Sequence, residues 1–302
     1  MKKQKRGQVI HLHDKAVGRS GRTQPVNGAV PVPKTRIITI TSGKGGVGKT
    51  NIVANLGISL SQLGQKVMIL DADLGLGNLD ILLGLAPRYN FSHFLSGARP
   101  LAEVLVSGPE NIQILPAASG IDELTALNTE QKGRIFQALD SLIAPLDFLL
   151  IDTAAGISSN VTYFAAAAHE IVVVVSPEPT SITDAYALIK ILSVKHAARR
   201  FKLLVNMAAD SRESTDVFRQ LTMVTDRFLD VAIEYIGFVK YDRNVISGVK
   251  KQKAVRQLHP DTDASRCLVS LAKKLSRETM PVPPDGRVFS FWEKISRDKT
   301  DK

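Results

Sequence analysis

Gly43-Lys44-Gly45-Gly46-Val47-Gly48-Lys49-Thr50 is the stretch that decides the fold of this chain. It follows a β-branched run, Arg36-Ile37-Ile38-Thr39-Ile40-Thr41, and opens an apolar-periodic segment over residues 51–63. A strand before and a helix after are the setting a phosphate-binding loop requires. Glycines let the backbone curl so that several N–H groups point at one polyphosphate, and the helix N-terminus adds a favourable dipole. Lys49 is then placed to reach β- and γ-phosphate oxygens, with the Thr50 hydroxyl in a Mg²⁺ shell. The eight residues, with Asn51 after them, are the predicted nucleoside triphosphate site. Lys44 is a second lysine in the loop. It is either an ordinary surface residue or a further source of positive charge for the phosphates, as arginine fingers are elsewhere.

Two more segments supply oxygen ligands. Val67-Met68-Ile69-Leu70-Asp71-Ala72-Asp73 is an apolar strand ending in two carboxylates, and Phe148-Leu149-Leu150-Ile151-Asp152 is another ending in one. Open α/β sheets bind ligands at the carboxyl ends of their strands, so all three acids are expected beside the phosphates. A single strand-end Asp is ordinarily a cap or turn residue. Three at these stations after a phosphate loop favour a site. Mg²⁺ takes hard oxygen ligands and keeps several waters, which places Asp71 and Asp152 with Thr50 as candidate ligands, Asp152 through water.

Further apolar runs recur over 112–116, 171–175, 201–206 and 235–239, with helical patterns over 130–142, 160–168, 183–196 and 216–231. Continuous rather than alternating apolar strands, separated by helices, predict an α/β fold: a doubly wound, mostly parallel sheet with helices on both faces. A chain of 302 residues, 44% hydrophobic, can bury such a core as one large domain. Ser176-Pro177-Glu178-Pro179-Thr180-Ser181 is expected to form another loop over the site. The lone Cys267 excludes a disulfide framework and any two-cysteine metal or cluster site within one chain. No stretch is apolar for the length of a membrane span, and no apolar segment follows the N-terminal basic residues as a secretory signal would require. A cytoplasmic protein is expected, with any membrane contact peripheral.

Charge concentrates at the N-terminus. Residues 1–36 hold nine Lys or Arg against Asp14 alone, which accounts for +8 of the net +10. With its glycines and prolines and little apolar content, the segment over 1–35 reads as a flexible basic arm. A solubilising tail, a phosphate or lipid-headgroup contact and a docking peptide for a partner GTPase all remain open for it. At the other end, Pro281, Pro283 and Pro284 break the preceding helix and make a linker. Beyond them Val288, Phe291, Trp292 and Ile295 fall at i, i+3, i+4 and i+7, with Phe289 beside them. A terminal helix packed on its own domain fits this pattern. An interfacial membrane helix fits it better, since the linker detaches it and Trp, Phe, Lys and Arg suit the headgroup boundary. Four large apolar side chains at about 1.5–3 kcal/mol each set an upper bound near 6–12 kcal/mol. Partial insertion and the cost of folding a short helix leave one copy weakly bound, whereas two copies on a dimer gain about 10²–10⁴-fold in avidity.

The KGGVGKT core of the loop resembles the deviant phosphate loop of the MinD/ParA ATPases, and the resemblance carried by the longer strings below covers roughly residues 36–280. That resemblance implies ATP as the ligand, hydrolysis, and a homodimer enclosing two nucleotides, with Lys44 pointing into the partner's site. It also implies that Asp73 orients the attacking water, as the second Asp of the family's DxD motif, and that Asn206 at a strand end meets the adenine edge. The Asn206 role rests on the resemblance, because a strand-ending Asn is ordinarily a turn residue. The strings DADLGLGNLDILLGL (71–85), DTAAGIS (152–158), PTSITDAYALIK (179–190), VNMA (205–208) and LTMVTDRFLDVAIEYIGFV (221–239) look like those of the FlhG or FleN branch, the flagellar-number regulators. This branch implies control of flagellar number and placement, and as partner an FlhF-type GTPase, flagellar switch components or a flagellar transcriptional activator; reversible attachment to the inner face of the cell membrane is expected from the terminal helix and the dimer. A ParA-type DNA-segregation ATPase or a MinD-type division-site ATPase is the alternative; direct DNA binding is not expected of the branch favoured here. Asp14-Lys15-Ala16-Val17-Gly18-Arg19 faintly resembles the family's D-Q-A-x-x-L-R activator motif and carries no function on its own.

Overall fold

The first strand, β1 (Arg36–Ser42), is buried along its whole length. It owes this to strands on both sides and helices on both faces. The computed structural model describes residues 35–73, 77–116, 138 and 140–278. The strands that join β1 are β2 (Val67–Ala72), β3 (Val106–Ser107), β4 (Gln113–Leu115), β5 (Phe148–Ala155), β6 (Glu170–Val175), β7 (Arg200–Ala208) and β8 (Ala232–Lys240). Their spatial order is β3-β4-β2-β5-β1-β6-β7-β8. Every neighbouring pair is parallel except β3–β4, a two-residue antiparallel edge. After β1 the chain turns to one side for β2 and later returns to the other side for β6. That reversal opens a crevice at the carboxyl end of β1, where ligands of doubly wound sheets bind.

The helices are α1 (Lys49–Gln62), α2 (Leu79–Leu82), α3 (Phe91–Leu95), α4 (Leu101–Val104), α5 (Ser159–Ala167), α6 (Pro179–His196), α7 (Ser211–Phe228), α8 (Arg243–Lys250), α9 (Val255–Leu258) and α10 (Asp263–Arg277). Strand side chains alternate between two layers. Ile38 and Ile40 of β1 and Leu150 of β5 pack with Ile52, Val53 and Leu56 of α1 and Leu268 and Leu271 of α10. Ile37, Leu149 and Ile151 point the other way, towards Phe164 of α5. Further along that face, Val173, Leu203 and Val205 pack against Leu188 and Leu192 of α6 and Leu221 of α7. The doubly wound sheet read from the apolar runs is therefore the one observed.

The differences lie at the edges. The helix expected over 216–231 starts at Ser211 and ends at Phe228, and β8 begins at Ala232. Asp210 explains the early start, because its side chain accepts hydrogen bonds from the N–H groups of Arg212 and Glu213. Among the described residues β8 pairs with β7 alone, and it is partly exposed along most of its length, so it carries Glu234 and Lys240 where the inner strands β1, β2 and β6 are buried throughout. Most of the helical pattern expected over 130–142, together with the basic arm and the segment carrying Val288, Phe289, Phe291, Trp292 and Ile295, lies outside the described residues. Among the described residues no helix is long and apolar enough to cross a membrane.

A charged cluster closes the opposite, amino-terminal end of the sheet. Buried Arg36 donates to Glu170 through Nε at 2.8 Å and Nη2 at 2.6 and 2.9 Å, and its Nη1 reaches the carbonyl oxygen of Leu275 at the end of α10. Lys202 lies 3.5 Å from Glu170 and 2.8 Å from Glu278. A buried pair adds little over an apolar substitute, but removing one partner strands the other's charge. Glu170→Ala should lower stability by about 3 kcal/mol, and replacing Arg36 and Glu170 together by Met should cost clearly less. Urea melts of the two variants check this, and equal losses would contradict it.

Candidate functional site

Ser42 ends β1, and the loop from Gly43 begins under α6. A Cβ at Gly43 would lie 2.1 Å from the main-chain oxygen of Asp184, so only glycine lets the two backbones approach this closely. The loop is then fastened on several sides. Gly156 N–H, from the segment after β5, donates to the Ser42 oxygen at 2.9 Å, and the Ser42 hydroxyl donates to the Lys44 oxygen at 2.7 Å. Gly46 and Gly48 have φ of 80° and 87°, the left-handed region that favours glycine. Gly48 is the N-cap of α1, and its carbonyl accepts the first helical bond, from Ile52 N at 3.0 Å. Val47 is buried in the core beside α1, which roots the loop from beneath.

Lys49 and Thr50 open α1, with Asn51 in the same turn. The parallel register sets Asp71 opposite Asp152 on adjacent strand ends, and Ile40 opposite Asp152 on β1. Lys49, Asp71 and Asp152 are all buried. Burial pushes the Lys49 ammonium below its ordinary range, against the opposing pull of Asp152 and Asp73. Burial likewise raises Asp152 to about 7, helped by the charge of Asp71 and opposed by a hydrogen bond with Thr50 and by Lys49. Asp71 rises to about 6, again chiefly through burial, while the Asp73 N–H, 3.1 Å from Asp71 Oδ1, works the other way. Asp152 Oδ1 is buried and has no hydrogen-bond partner. A hard-oxygen set of two carboxylates and a hydroxyl, with one buried oxygen unpaired, fits a Mg²⁺ ion that keeps water ligands.

Lys44 does not trail into solvent. Its ammonium pairs with the Glu178 carboxylate and donates to the Thr180 hydroxyl at 2.9 Å. The hydrogen bond and charge of Lys44 hold the Glu178 carboxyl below its usual range. The segment over 176–181 does reach the phosphate loop, but not as the loop expected: Pro179–Ser181 already form the first turn of α6, which starts four residues before the helical pattern because proline suits the first helical position. Glu178 as the partner of Lys44 has no signal in the sequence beyond its place after a strand. Asn206 comes from the far side, on β7. Its amide Nδ2 donates to the Val47 oxygen at 2.7 Å, a contact that strand position alone does not foretell. The structure thus gathers Gly43 to Asn51, Asp71, Asp73, Asp152 and Asn206 at the carboxyl edge of one sheet.

The raised carboxylates have a consequence for the ligand-free protein. An acid whose folded pKa exceeds its unfolded value contributes stability below the unfolded value, about 4, and loses it as pH rises through the folded value, about 7 for Asp152. Asp152→Asn should therefore raise the stability of the empty protein at pH 8 by on the order of 1–2 kcal/mol, less the lost attraction to Lys49, and by less at pH 5. Thermal melts at the two pH values measure this; a gain that is larger at pH 5 would refute the assignment.

Comparison with known proteins agrees with this geometry. The ParA family, described as NUBPL iron-transfer P-loop NTPase, matches residues 34–276. The chain's single cysteine leaves it without the pair of thiolates that a bridging cluster site would need. The antiactivator FleN of Pseudomonas aeruginosa is 45% identical over 260 residues, covering 86% of this chain and 93% of the relative. The flagellum site-determining protein YlxH of Helicobacter pylori is 33% identical over 266 residues, covering 86% and 90%. Among solved structures, the MinC:MinD cell division complex of Aquifex aeolicus superposes with a TM-score of 0.63 at 30% identity, covering 82% of this chain and 98% of that one. With the phosphate loop, its paired lysines and the strand-end acids in one crevice, the chain belongs to the ParA/MinD family of P-loop ATPases.

Proposed function

We propose that this protein is an ATP-driven dimerisation switch that attaches reversibly to the membrane and sets flagellar number or placement. The observation that carries the reading is the position of Lys44. It sits at the mouth of the loop, held in the single chain by an exposed carboxylate and a hydroxyl rather than by the core. A lysine tethered this way can exchange Glu178 for the phosphate oxygens of a facing subunit. The carboxyl edge of the sheet also exposes Ile157, Met207 and Tyr241, each at or just past a strand end, and Ile246 and Val249 on α8. Apolar side chains around a charged crevice suit a face that a second copy covers.

In this reading Lys49 offsets charge on the β- and γ-phosphates, Asp73 orients the attacking water, and Lys44 stabilises charge across the dimer. Mg²⁺, held by Thr50 with Asp71 and Asp152 through water, would supply further charge neutralisation at the phosphates. The core domain over 36–280 performs the nucleotide cycle. The arm over 1–35 awaits a role, and the segment over 281–302 provides the membrane contact through Val288, Phe289, Phe291, Trp292 and Ile295. Loss of the terminal phosphate separates the subunits and halves the number of membrane anchors, so avidity falls with it. The names of the relatives, FleN and the flagellum site-determining YlxH, support the flagellar branch. Partners would be an FlhF-type GTPase, flagellar switch components or a transcriptional activator.

Asp73→Ala should retain ATP binding and accumulate as dimers on anionic vesicles, while the same variant truncated after Pro284 stays in solution. Turnover at the parental rate by Asp73→Ala would remove the water-orienting role, and unchanged sedimentation of the truncated form would remove the membrane segment. Deleting the gene should change the count of flagella per cell, and an unaltered count would sink the flagellar reading while leaving the ATPase intact.

A further inference from the structure

β7 does not end as a regular strand. Its pairing with β8 slips between Asn206 and Ala208, and the extra residue, Met207, has φ of 61°. A non-glycine residue is uncommon in that region and strained there, so the surrounding structure must hold it in place. Strand alternation sets Asn206 on the same face as Leu204, the face towards α1 and the phosphate loop, and the bulge follows directly after it. Asn206 is only 6% exposed, and Nδ2 donates to the Val47 oxygen at 2.7 Å. The same nitrogen would lie 2.5 Å from a Cβ at Gly48, and Met207 Cε would lie 3.4 Å from it. The carboxamide therefore sits directly on the peptide that links Val47 to Gly48, one residue before Lys49. Val47 is gripped from below by the core and from above by this bond, and Gly48 is glycine both for its φ of 87° and for the room Asn206 takes.

We propose that Asn206 is a positioning residue for the phosphate loop. Its N–H fixes the Val47 carbonyl outward, so that the N–H groups at the start of α1 and Lys49 stay aimed at the phosphates before any ligand arrives. This goes beyond a contact with the base and rests on the phosphate-loop reading. The two roles separate with a ligand that has no base. A reader of adenine matters for ATP and is indifferent to inorganic tripolyphosphate; a brace of the loop matters for both.

Calorimetry on the full chain with ATP and with inorganic tripolyphosphate tests this, using Asn206→Asp and Asn206→Ala. At about pH 7.5 the Asp variant sets a carboxylate against the Val47 oxygen and close to the anion, and its affinity for tripolyphosphate should fall at least about tenfold, through the lost donor and charge repulsion together. Towards about pH 5.5, as burial lets the new carboxyl take up a proton, it can donate again, and the gap to the parent should narrow. Asn206→Ala should be weakened alike at both pH values. Parental affinity for tripolyphosphate in both variants, with ATP alone weakened, makes Asn206 a base reader and overturns the proposal. A deficit in Asn206→Asp that does not change with pH assigns the loss to packing and overturns it as well. Should the buried carboxylate prevent folding, Asn206→Ala carries the comparison of the two probes. A parent that binds neither probe would instead fell the phosphate-loop reading.

Discussion

Burying an ammonium and two carboxylates together at the edge of a sheet is the constraint on which the rest of this structure depends. Lys49, Asp71 and Asp152 are each withdrawn from water, and each is driven towards its neutral form. The parallel register of β2, β5 and β1 brings them together and leaves them little freedom to separate. Such a site is costly when empty and most comfortable when a polyanion and a hard cation enter it. The preorganised charges need little rearrangement when the phosphates arrive, which is the property electrostatic catalysis requires.

The sheet can tolerate that cost because its remaining volume is apolar and its other end is closed. Ile38, Ile40, Leu150 and Val172 pack under α1 and α10, and Phe164, Leu188 and Leu192 cover the opposite face. At the amino-terminal end Arg36 ties β1 to β6 through Glu170 and to the last turn of α10 through the Leu275 oxygen. One strand therefore carries the phosphate loop at one end and the anchor of α10 at the other. The charges at the two ends differ in kind: those around Arg36 are matched within the chain, whereas Asp152 keeps an oxygen unmatched.

The lysines of the phosphate loop divide the work by their surroundings. Lys49 lies in the first turn of α1 and is fixed by the packing of that helix. Among the described residues Lys44 is held by Glu178 and Thr180 at the start of α6, in partial contact with solvent, where an ion pair contributes little. A rigid lysine and a releasable one in the same loop are what a switch needs if one is to bind nucleotide and the other to report a second subunit.

The sequence by itself determined the strand–loop–helix of residues 36–62, the acids at 71, 73 and 152, and the alternation that makes a doubly wound sheet. Those signals are local: glycine spacing, apolar runs and the residue that follows each run depend only on neighbours along the chain. Boundaries moved where a side chain outside the periodic pattern set them, as Asp210 did for α7. The parallel order of the strands, the pairing of Asp71 with Asp152, the Glu178 partner of Lys44 and the bond from Asn206 to Val47 were decided only by the tertiary structure. Each joins residues that lie 80 or more positions apart or that face each other across strands. Nothing in a local window distinguishes a strand-end Asn that caps a turn from one that donates to a phosphate loop 159 positions earlier.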